Sequence, residues 1–254
     1  MPSDDPGGAE GSAPPAGLSV YPITGLAEVR PGDDLAELLA DVLLGPGAVA
    51  GGLVDGDVVV VTQKVVSKAE GRLVAIDVDD PGAKRALVEA ESVRILRRRG
   101  DLVISETSHG FVCANAGVDL SNVDAGTAAL LPLDSDRSAR RLRQALLHRG
   151  PVSVGVVISD TFGRTWRQGV TDVAIGIAGI AGIVDLRGTA DANGRVLDAT
   201  EVCVADELAG AAELVMGKDR GIPAAVVRGV DPRWLRPSSV AAEIVRSPSE
   251  DLFR

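Results

Sequence analysis

The sequence is poor in the residues that mark several common protein classes. Phe, Trp and Tyr make up 2 % of its 254 residues, and it has two cysteines and two histidines. Cys113 and Cys203 are far apart and form no CxxC pair, which argues against a disulfide framework and against a structural zinc site. His109 and His148 show no spacing typical of a metal site or a catalytic triad. The core must therefore consist mainly of Val, Leu, Ile and Ala, and both thiols are expected to be buried.

Basic residues are also in deficit. Asp and Glu number 36 against 26 Lys and Arg, which gives a formal net charge of −10. Proteins that bind nucleic acid usually present a basic face, so no nucleic-acid partner is expected. Residues 1–17 lack the basic start and the apolar stretch of a signal peptide, and no run reaches the roughly 18 apolar residues of a membrane span. These absences predict a cytoplasmic protein without a membrane partner.

The chain is predicted to form one folded region between two weaker segments. Residues 1–17 are rich in Gly, Ala, Pro and acidic residues, and we expect a disordered leader there. Residues 231–254 are interpreted either as a tail or as the joint to a second domain outside this chain. Within residues 18–230, predicted strands and helices mix without a regular βαβ repeat, which favours the α+β class.

Several elements are predicted from local patterns. Buried strands are expected at 58–61 and 152–159, and helices after Asp34, over 138–149 and from 202 to 216. A longer helix is predicted to begin at Asp80–Pro81 and to run to Gly100. Residues 97–99, three consecutive arginines, would then lie at its C-terminal end, where positive charge is favourable.

The motifs of several well-known sites are missing. No GxxxxGK[ST] loop occurs, and Gly217–Lys218 is followed by Asp219. The glycines at 176, 179 and 182 are not followed by the acidic residue of a dinucleotide-binding fold. No serine lies in a nucleophile elbow. P-loop, Rossmann and serine-hydrolase chemistry are therefore not indicated.

Three segments combine carboxylates, amides and glycines just after predicted strands, namely 62–68, 115–122 and 159–167. In the third, Asp160 and Thr161 form a pair of hard oxygen donors suited to Mg²⁺ or Mn²⁺. Arg164 and Arg167 follow, and could meet phosphate or carboxylate oxygens. The alternative is a capping Asp beside two surface arginines. Phosphoryl transfer requires metal, basic side chains and backbone amides together, so we predict a metal-held nucleoside triphosphate.

Six short segments in a fixed order give a more specific indication. They are 22–26 (PITGL), 56–62 (GDVVVVT), 66–72 (VSKAEGR), 115–119 (NAGVD), 159–164 (SDTFGR) and 204–207 (VADE). Together they resemble the coenzyme F420:L-glutamate ligase family, also called the F420-0:γ-glutamyl ligases, over residues 20–229. Actinobacterial members look most similar, and these are commonly fused to a nitroreductase-like C-terminal domain.

The resemblance implies a reaction. GTP, L-glutamate and the deazaflavin precursor of coenzyme F420 would give GDP, phosphate and a γ-linked amide, through an acyl phosphate on the coenzyme carboxylate. Later rounds would lengthen the glutamate tail. The resemblance also implies Mg²⁺ or Mn²⁺, with a monovalent cation as a further candidate. Its α+β fold has two intimately joined subdomains in an intertwined homodimer, which the small residues between Val173 and Val184 would suit.

The resemblance implies site residues but no catalytic residue. The GTP contacts would be Leu26, Ala27, Glu28, Val29, Gln63, Lys68, Asn122, Met216, Gly217, Lys218, Gly221 and Ile222. A first metal would bind Asp119 and Asp160, and a second would bind Thr161. Some family members carry a Glu metal ligand where this chain has Lys218, in a longer loop. The second metal would instead be held by GTP oxygens, Thr161 and water, with Lys218 contacting phosphate directly.

Two other functions stay open at this stage. One is a non-catalytic nucleotide-binding module, against which the presence of Asp119, Asp160 and Thr161 argues. The other is a metal-dependent phosphohydrolase, against which the scarcity of histidine argues.

Overall fold

The computed structural model describes residues 17–80 and 82–252. The predicted leader, except Gly17, and the predicted first helical residue Pro81 lie outside the described residues. In chain order the strands are β1 (Ser19–Pro22), β2 (Val58–Thr62), β3 (Leu73–Ala75), β4 (Ser92–Arg99), β5 (Leu102–Thr107), β6 (Val112–Ala114), β7 (Thr127–Ala129), β8 (Gly155–Gly163), β9 (Val170–Ala178), β10 (Val184–Asp185), β11 (Glu201–Val202) and β12 (Ala224–Arg228). The α-helices are α1 (Leu35–Leu44), α2 (Gln63–Ala69), α3 (Ala83–Ala90), α4 (Ser135–Arg149), α5 (Val204–Met216) and α6 (Val240–Glu243).

A mixed five-stranded sheet forms the centre of the fold, in the order β1-β12-β2-β8-β9. β2 and β8 run parallel, with Val58 opposite Gly155 and Thr62 opposite Ser159. The other neighbouring pairs in this sheet are antiparallel. Thr62, the last residue of β2, therefore lies beside Ser159, and β8 continues past it to Gly163.

The four-valine run of β2 is buried on both faces. Val59 and Val61 belong to a hydrophobic cluster with α1 and α4, whereas Val58 and Val60 belong to a second cluster with α5. Successive side chains of a strand point to opposite faces, so a continuous apolar run requires cover on both sides. Alanines on the buried face of α5 allow close packing on the sheet. The predicted strand, the helix capped by Asp34 and the α+β class are confirmed.

Three smaller sheets complete the fold. β4, β5 and β6 form an antiparallel sheet, β3 pairs with β7, and β10 pairs with β11. A third hydrophobic cluster lies here, built on Val88, Val103, Val118 and Leu130. It joins α3 and β5 to the 115–130 segment, which carries Asp119.

The predicted helix over 80–100 is wrong at its start, since α3 begins at Ala83 with Gly82 and not Asp80 as its N-cap, and it is wrong in its second half. α3 ends at Ala90, and Ser92–Arg99 is strand β4, which pairs antiparallel with β5. Arg94 forms an ion pair with Glu106 of β5, and Arg98 forms one with Glu89 of α3. Strand pairing with a segment further along the chain has therefore overridden the local helical pattern. The arginines at 97–99 lie on a strand and end no helix.

The small residues between Val173 and Val184 pack within the chain. A Cβ on Gly176 would lie 2.4 Å from the backbone of Ser135, at the start of α4. A Cβ on Gly182 would lie 3.0 Å from Ile244. These glycines thus allow close approach of intrachain elements, and they give no support to the expectation of a dimer interface at this segment.

The segment after β12 also packs against the domain. Val240 is 1 % exposed, and its amide donates to the Asp136 side chain at 2.9 Å. Glu243 accepts hydrogen bonds from the amides of Gly182 and Ile183. Residues 231–252, expected as a tail or a joint, therefore cover β9 and the start of α4.

Two further expectations can be compared with the fold. Cys113 and Cys203 are free thiols, the first buried and the second half-buried, and burial raises the pKa of each to about 12. Within residues 17–80 and 82–252, no helix combines the length and the apolar character needed to cross a membrane.

Candidate active site

A cavity of about 500 Å³ opens where β2 ends at Thr62, beside Ser159 and Asp160 of β8. Its wall combines the start of α2, the C-terminal end of β8 and the loops 26–29, 119–124 and 217–223. Ligands of sheets with parallel strands commonly bind beyond the C-terminal ends of those strands. The three segments singled out from the sequence thus meet at this cavity.

Most of the predicted nucleotide contacts line this cavity. They are Leu26, Ala27, Glu28, Val29, Gln63, Lys68, Asn122, Gly217, Lys218, Gly221 and Ile222. Met216 is instead fully buried in the cluster under α5. Of the predicted metal ligands, Asp119 and Asp160 line the cavity. Thr161 is the next residue of β8 and is not among the residues that line it.

Asp172 of β9 is a cavity residue that the sequence did not reveal. It is 2 % exposed and lies opposite Thr161 in the β8–β9 register. Its carboxylate accepts hydrogen bonds from the Ser159 hydroxyl at 2.9 Å and from the Thr161 hydroxyl. The register shifts between Ile158 and Ser159, and such bulges often lie beside active sites.

Asp160 has a strongly perturbed carboxyl group. Burial raises its pKa to about 7, and the nearby charges of Asp172 and Asp119 act in the same direction. The Thr161 amide and the Lys218 ammonium oppose that rise only in part. Three carboxylates therefore crowd one wall of the cavity, an arrangement that a bound cation would relieve.

Asp119 is held by a lysine. Burial tends to raise its pKa, but hydrogen bonds from Lys64 and from the Ser121 amide keep that pKa below its usual range. Lys64 Nζ lies 2.7 Å from Asp119 Oδ2 and 2.8 Å from the Ser121 hydroxyl. Asp119 is thus an ionised, positioned carboxylate on the loop after β6.

Three lysines contribute positive charge to the cavity wall. Besides Lys64, Lys68 contacts Glu28 with Nζ and Oε1 2.5 Å apart, and Lys218 Nζ lies 3.7 Å from Asp172 Oδ1. Lys64 and Lys68 stand four residues apart on α2 and so share one face. That spacing could have revealed Lys64 from the sequence, whereas Asp172 is only a single acid in an apolar strand.

The residues present fit a divalent ion that is shared with a ligand. Among the described residues, no group of three or more His, Cys, Asp and Glu side chains could hold a metal by itself. Mg²⁺ usually binds one or two carboxylates and completes its octahedron with phosphate oxygens and water. Asp119 and Asp160, which both line the cavity, match that donor set.

Other predicted site residues either have their side-chain donors already occupied or lie outside the cavity wall. Gln63 is 1 % exposed, and its amide nitrogen already donates to Ser67 and to the Leu130 carbonyl. Arg164 and Arg167 are exposed in the loop between β8 and β9, outside the cavity wall, where Arg164 donates to the Gln168 carbonyl at 3.2 Å. Glu213 of α5 was not predicted but lines the cavity beside Lys218.

Comparison with known proteins shows which family the chain belongs to. The profile described as F420-0:Gamma-glutamyl ligase matches residues 25–229. A Coenzyme F420:L-glutamate ligase of Methanothermobacter thermautotrophicus is 42 % identical over 253 residues, covering 94 % of this chain and 99 % of the relative. One of Methanopyrus kandleri is 45 % identical (93 % and 98 %), and one of Archaeoglobus fulgidus is 40 % identical (93 % and 96 %). The chain therefore belongs to the F420-0:γ-glutamyl ligase family.

Proposed function

We propose that this protein is a GTP-dependent ligase that adds γ-linked L-glutamate to the deazaflavin precursor of coenzyme F420. The observation that carries the proposal is the composition of the 500 Å³ cavity. It brings together carboxylates, lysines and glycine-containing loops from distant parts of the chain between residues 26 and 223. Relatives named as coenzyme F420:L-glutamate ligases match nearly the whole chain, which supports the same reaction.

The nucleotide phosphates are proposed to bind along the lysine-bearing wall. Lys64, Lys68 and Lys218 supply charge, and the 217–223 loop supplies backbone amides. Gly217 and Gly221 have φ of +64° and +66°, a left-handed conformation that glycine adopts without strain and that lets amides face an anion. Lys64 and Lys68 already have carboxylate partners, so phosphate binding would compete with those ion pairs.

Asp119 and Asp160 would hold the divalent ion, and Thr161 and Asp172 lie next to Asp160 in the β8–β9 pair. When bound, such an ion neutralises the charge of the transferring phosphoryl group. Asp172 accepts hydrogen bonds from Ser159 and Thr161 and thereby fixes the end of β8. The residues on both sides of Asp160 are therefore held by hydrogen bonds to β9.

The proposed reaction proceeds in two displacements. A carboxylate oxygen of the coenzyme attacks the γ-phosphorus, the bond to the β–γ bridging oxygen breaks, and GDP leaves. The neutral amine of glutamate then attacks the acyl carbon, the bond from that carbon to the phosphate oxygen breaks, and phosphate leaves. The amine gives up a proton as the amide forms. Arg164 and Arg167, exposed in the loop after β8, are proposed to meet substrate carboxylates.

Mass spectrometry of the coenzyme after incubation with GTP, Mn²⁺ and L-glutamate tests this proposal. Addition of glutamyl residues, with phosphate release that requires both glutamate and the deazaflavin, is the expected result. Phosphate release without either co-substrate would instead identify a phosphohydrolase. GTP binding without any product would identify a non-catalytic module, and replacement of GTP by ATP would show how strictly the base is selected.

The homodimer remains a proposal and has support from one exposed surface. Leu102 and Val112 are 45 % and 39 % exposed on the three-stranded sheet. Val112 pairs with Glu106, four residues from Leu102, so both side chains lie on one face. We expect Leu102→Lys to shift the sedimentation coefficient toward that of a monomer, whereas the same change at exposed Val196 should not. A parent chain that sediments as a monomer would contradict the proposal.

Lys218 is the position at which the resemblance implies a Glu metal ligand in some family members. Lys218→Met should weaken GTP binding about 10-fold or more, because a charge-assisted contact to phosphate is lost, and added Mn²⁺ should not restore it. Lys218→Glu should weaken GTP binding at low Mn²⁺ but recover at high Mn²⁺, since a carboxylate could bind a second ion. Titration of GTP at several Mn²⁺ concentrations distinguishes these outcomes.

Lys84→Met, in α3, is the matched control and should bind GTP like the parent. If both Lys218 variants keep the GTP affinity and the Mn²⁺ dependence of the parent, the side chain faces solvent. The departure from the family would then have no mechanistic meaning.

A further inference from the structure

A second cavity, of about 240 Å³, lies at the other end of β8 from the candidate active site. Its wall includes Arg140 and Arg143 of α4, Ser153, and Arg236 after β12. Residue 154 precedes β8 and residue 160 lies near its far end, so the strand rise separates the two cavities by about 20 Å. The second cavity shares none of its lining residues with the first.

Arg143 is fixed in this cavity by two contacts. Its Nε donates to the Val154 carbonyl at 2.7 Å. Its guanidinium also lies against Gly179, where a Cβ would come 2.1 Å from Nε. Gly179 has φ of +73°, so both the backbone conformation and the arginine favour glycine at this position. The Arg143 side chain is therefore half-buried and held in one orientation.

Arg143 has no carboxylate partner among residues 17–80 and 82–252. Its only hydrogen bond to that part of the chain uses Nε, which leaves both Nη groups without an acceptor there. A guanidinium presents paired N–H groups in a planar fork that matches carboxylate and phosphate oxygens. An immobilised and half-buried guanidinium with free donors is a preorganised site for such an anion.

The neighbouring charges add to the positive field. Arg236 is paired with Glu243, but that carboxylate also accepts hydrogen bonds from the Gly182 and Ile183 amides. Arg140 lies 3.8 Å from Asp134, and about half of each side chain is exposed, so this ion pair is weak. Three arginines thus meet at one cavity in a chain of net charge −10.

We propose that this cavity is a binding site for a small oxyanion, separate from the proposed ligase site, with Arg143 as its central contact. The ligand chemistry is a carboxylate or phosphate group that accepts the paired N–H donors of Arg143. The ligase reaction consumes a dicarboxylic amino acid and releases phosphate, so both anions are suitable probes. Binding at this distance from the reacting groups would make the cavity a regulatory site.

Calorimetric titration of the full chain with inorganic phosphate, and separately with L-glutamate, tests the proposal at constant ionic strength. We expect one of the two anions to bind, and Arg143→Met to weaken that binding about 10-fold or more. Arg143→Lys keeps the charge without the fork and should fall between parent and Arg143→Met. Arg141→Met is the matched control, since Arg141 is exposed on the same helix and outside the cavity. Its affinity should equal that of the parent.

The Nε–H resonance of Arg143, identified by its loss in the Arg143→Lys spectrum, gives a local measurement that does not depend on a folded Met variant. The anion that shifts this resonance identifies the source of the ligand, phosphate or glutamate. Equal weakening by Arg141→Met, or displacement by equimolar chloride, would mean an adventitious ion only and would overturn the proposal. The absence of any shift of this resonance with both anions would also overturn the proposal. An effect of Arg143→Met on dimer dissociation alone would not rescue it. Ligase turnover is measured in parallel, so that absence of anion binding at this cavity is distinguished from absence of the proposed ligase activity.

Discussion

Asp160→Asn is expected to lower ligase turnover by at least about 100-fold while the fold survives, because the proposed divalent ion loses one of its two carboxylate ligands and with it the charge that stabilises the transferring phosphoryl group. The substitution keeps the shape of the side chain and removes its charge. Asp160 lies between Asp119, Asp172 and Lys218, and burial raises its pKa to about 7. Removing one of three crowded negative charges should not destabilise the apo protein, so the loss should appear in turnover and in the Mn²⁺ requirement. Steady-state kinetics at several Mn²⁺ concentrations and a thermal melt measure the two quantities.

Asp198→Asn makes the same chemical change at an exposed residue that does not line the cavity, and it should leave turnover unchanged. Near-normal turnover of Asp160→Asn at saturating Mn²⁺ would defeat the metal assignment. A large fall in its melting temperature would instead show that Asp160 acts mainly in the fold.

Arg228→Met is expected to destabilise the protein by about 3–5 kcal/mol, because it leaves the buried Asp57 carboxylate without its cation. Asp57 is 1 % exposed, and Arg228 contacts both of its oxygens, with Nε–Oδ1 of 2.8 Å and Nη2–Oδ2 of 2.7 Å. For a chain of this size, such a loss lowers the melting temperature by about 10 °C. Denaturant unfolding monitored by circular dichroism measures the change in free energy.

The double variant Asp57→Asn/Arg228→Met should lose less than the sum of the two single variants, because no charge is then left buried without a partner. Arg233→Met is the matched control: Arg233 is paired with Asp231 but is 86 % exposed, so about 0–1 kcal/mol is expected. Equal losses for Arg228→Met and Arg233→Met would show that the buried pair contributes no more than a surface pair. Because the pair lies at the start of β2, away from the cavity, folded Arg228→Met should retain ligase turnover.

Local patterns in the sequence predicted much of the architecture. A run of four valines requires cover on both faces, and β2 is buried between two hydrophobic clusters. Asp34 caps α1 as predicted, because its carboxylate accepts from the Ala36 and Glu37 amides. The three segments rich in carboxylates and amides meet at one cavity, although residues 159–163 belong to β8 and do not follow it as predicted. These features depend on residues close to one another in the chain.

The errors and omissions concern residues whose partners are distant. Residues 92–99 carry a helical pattern, but pairing with 102–107 makes them a strand. Asp172 joined the site only because β9 places it opposite Thr161. Arg164 and Arg167 follow Asp160 closely, yet the β8–β9 loop carries them away from the cavity wall.

The sequence by itself determined the buried valine run of β2, the cap of α1 and the family to which the chain belongs. The tertiary structure alone decided which strand each segment pairs with, which charges neutralise one another and which side chains share a cavity. Local preferences arise from backbone sterics and from contacts within a few residues, so they can be read along the chain. Strand register and charge neighbours depend instead on contacts between segments far apart in sequence, and a long-range pairing that buries more apolar surface can override a weak local preference.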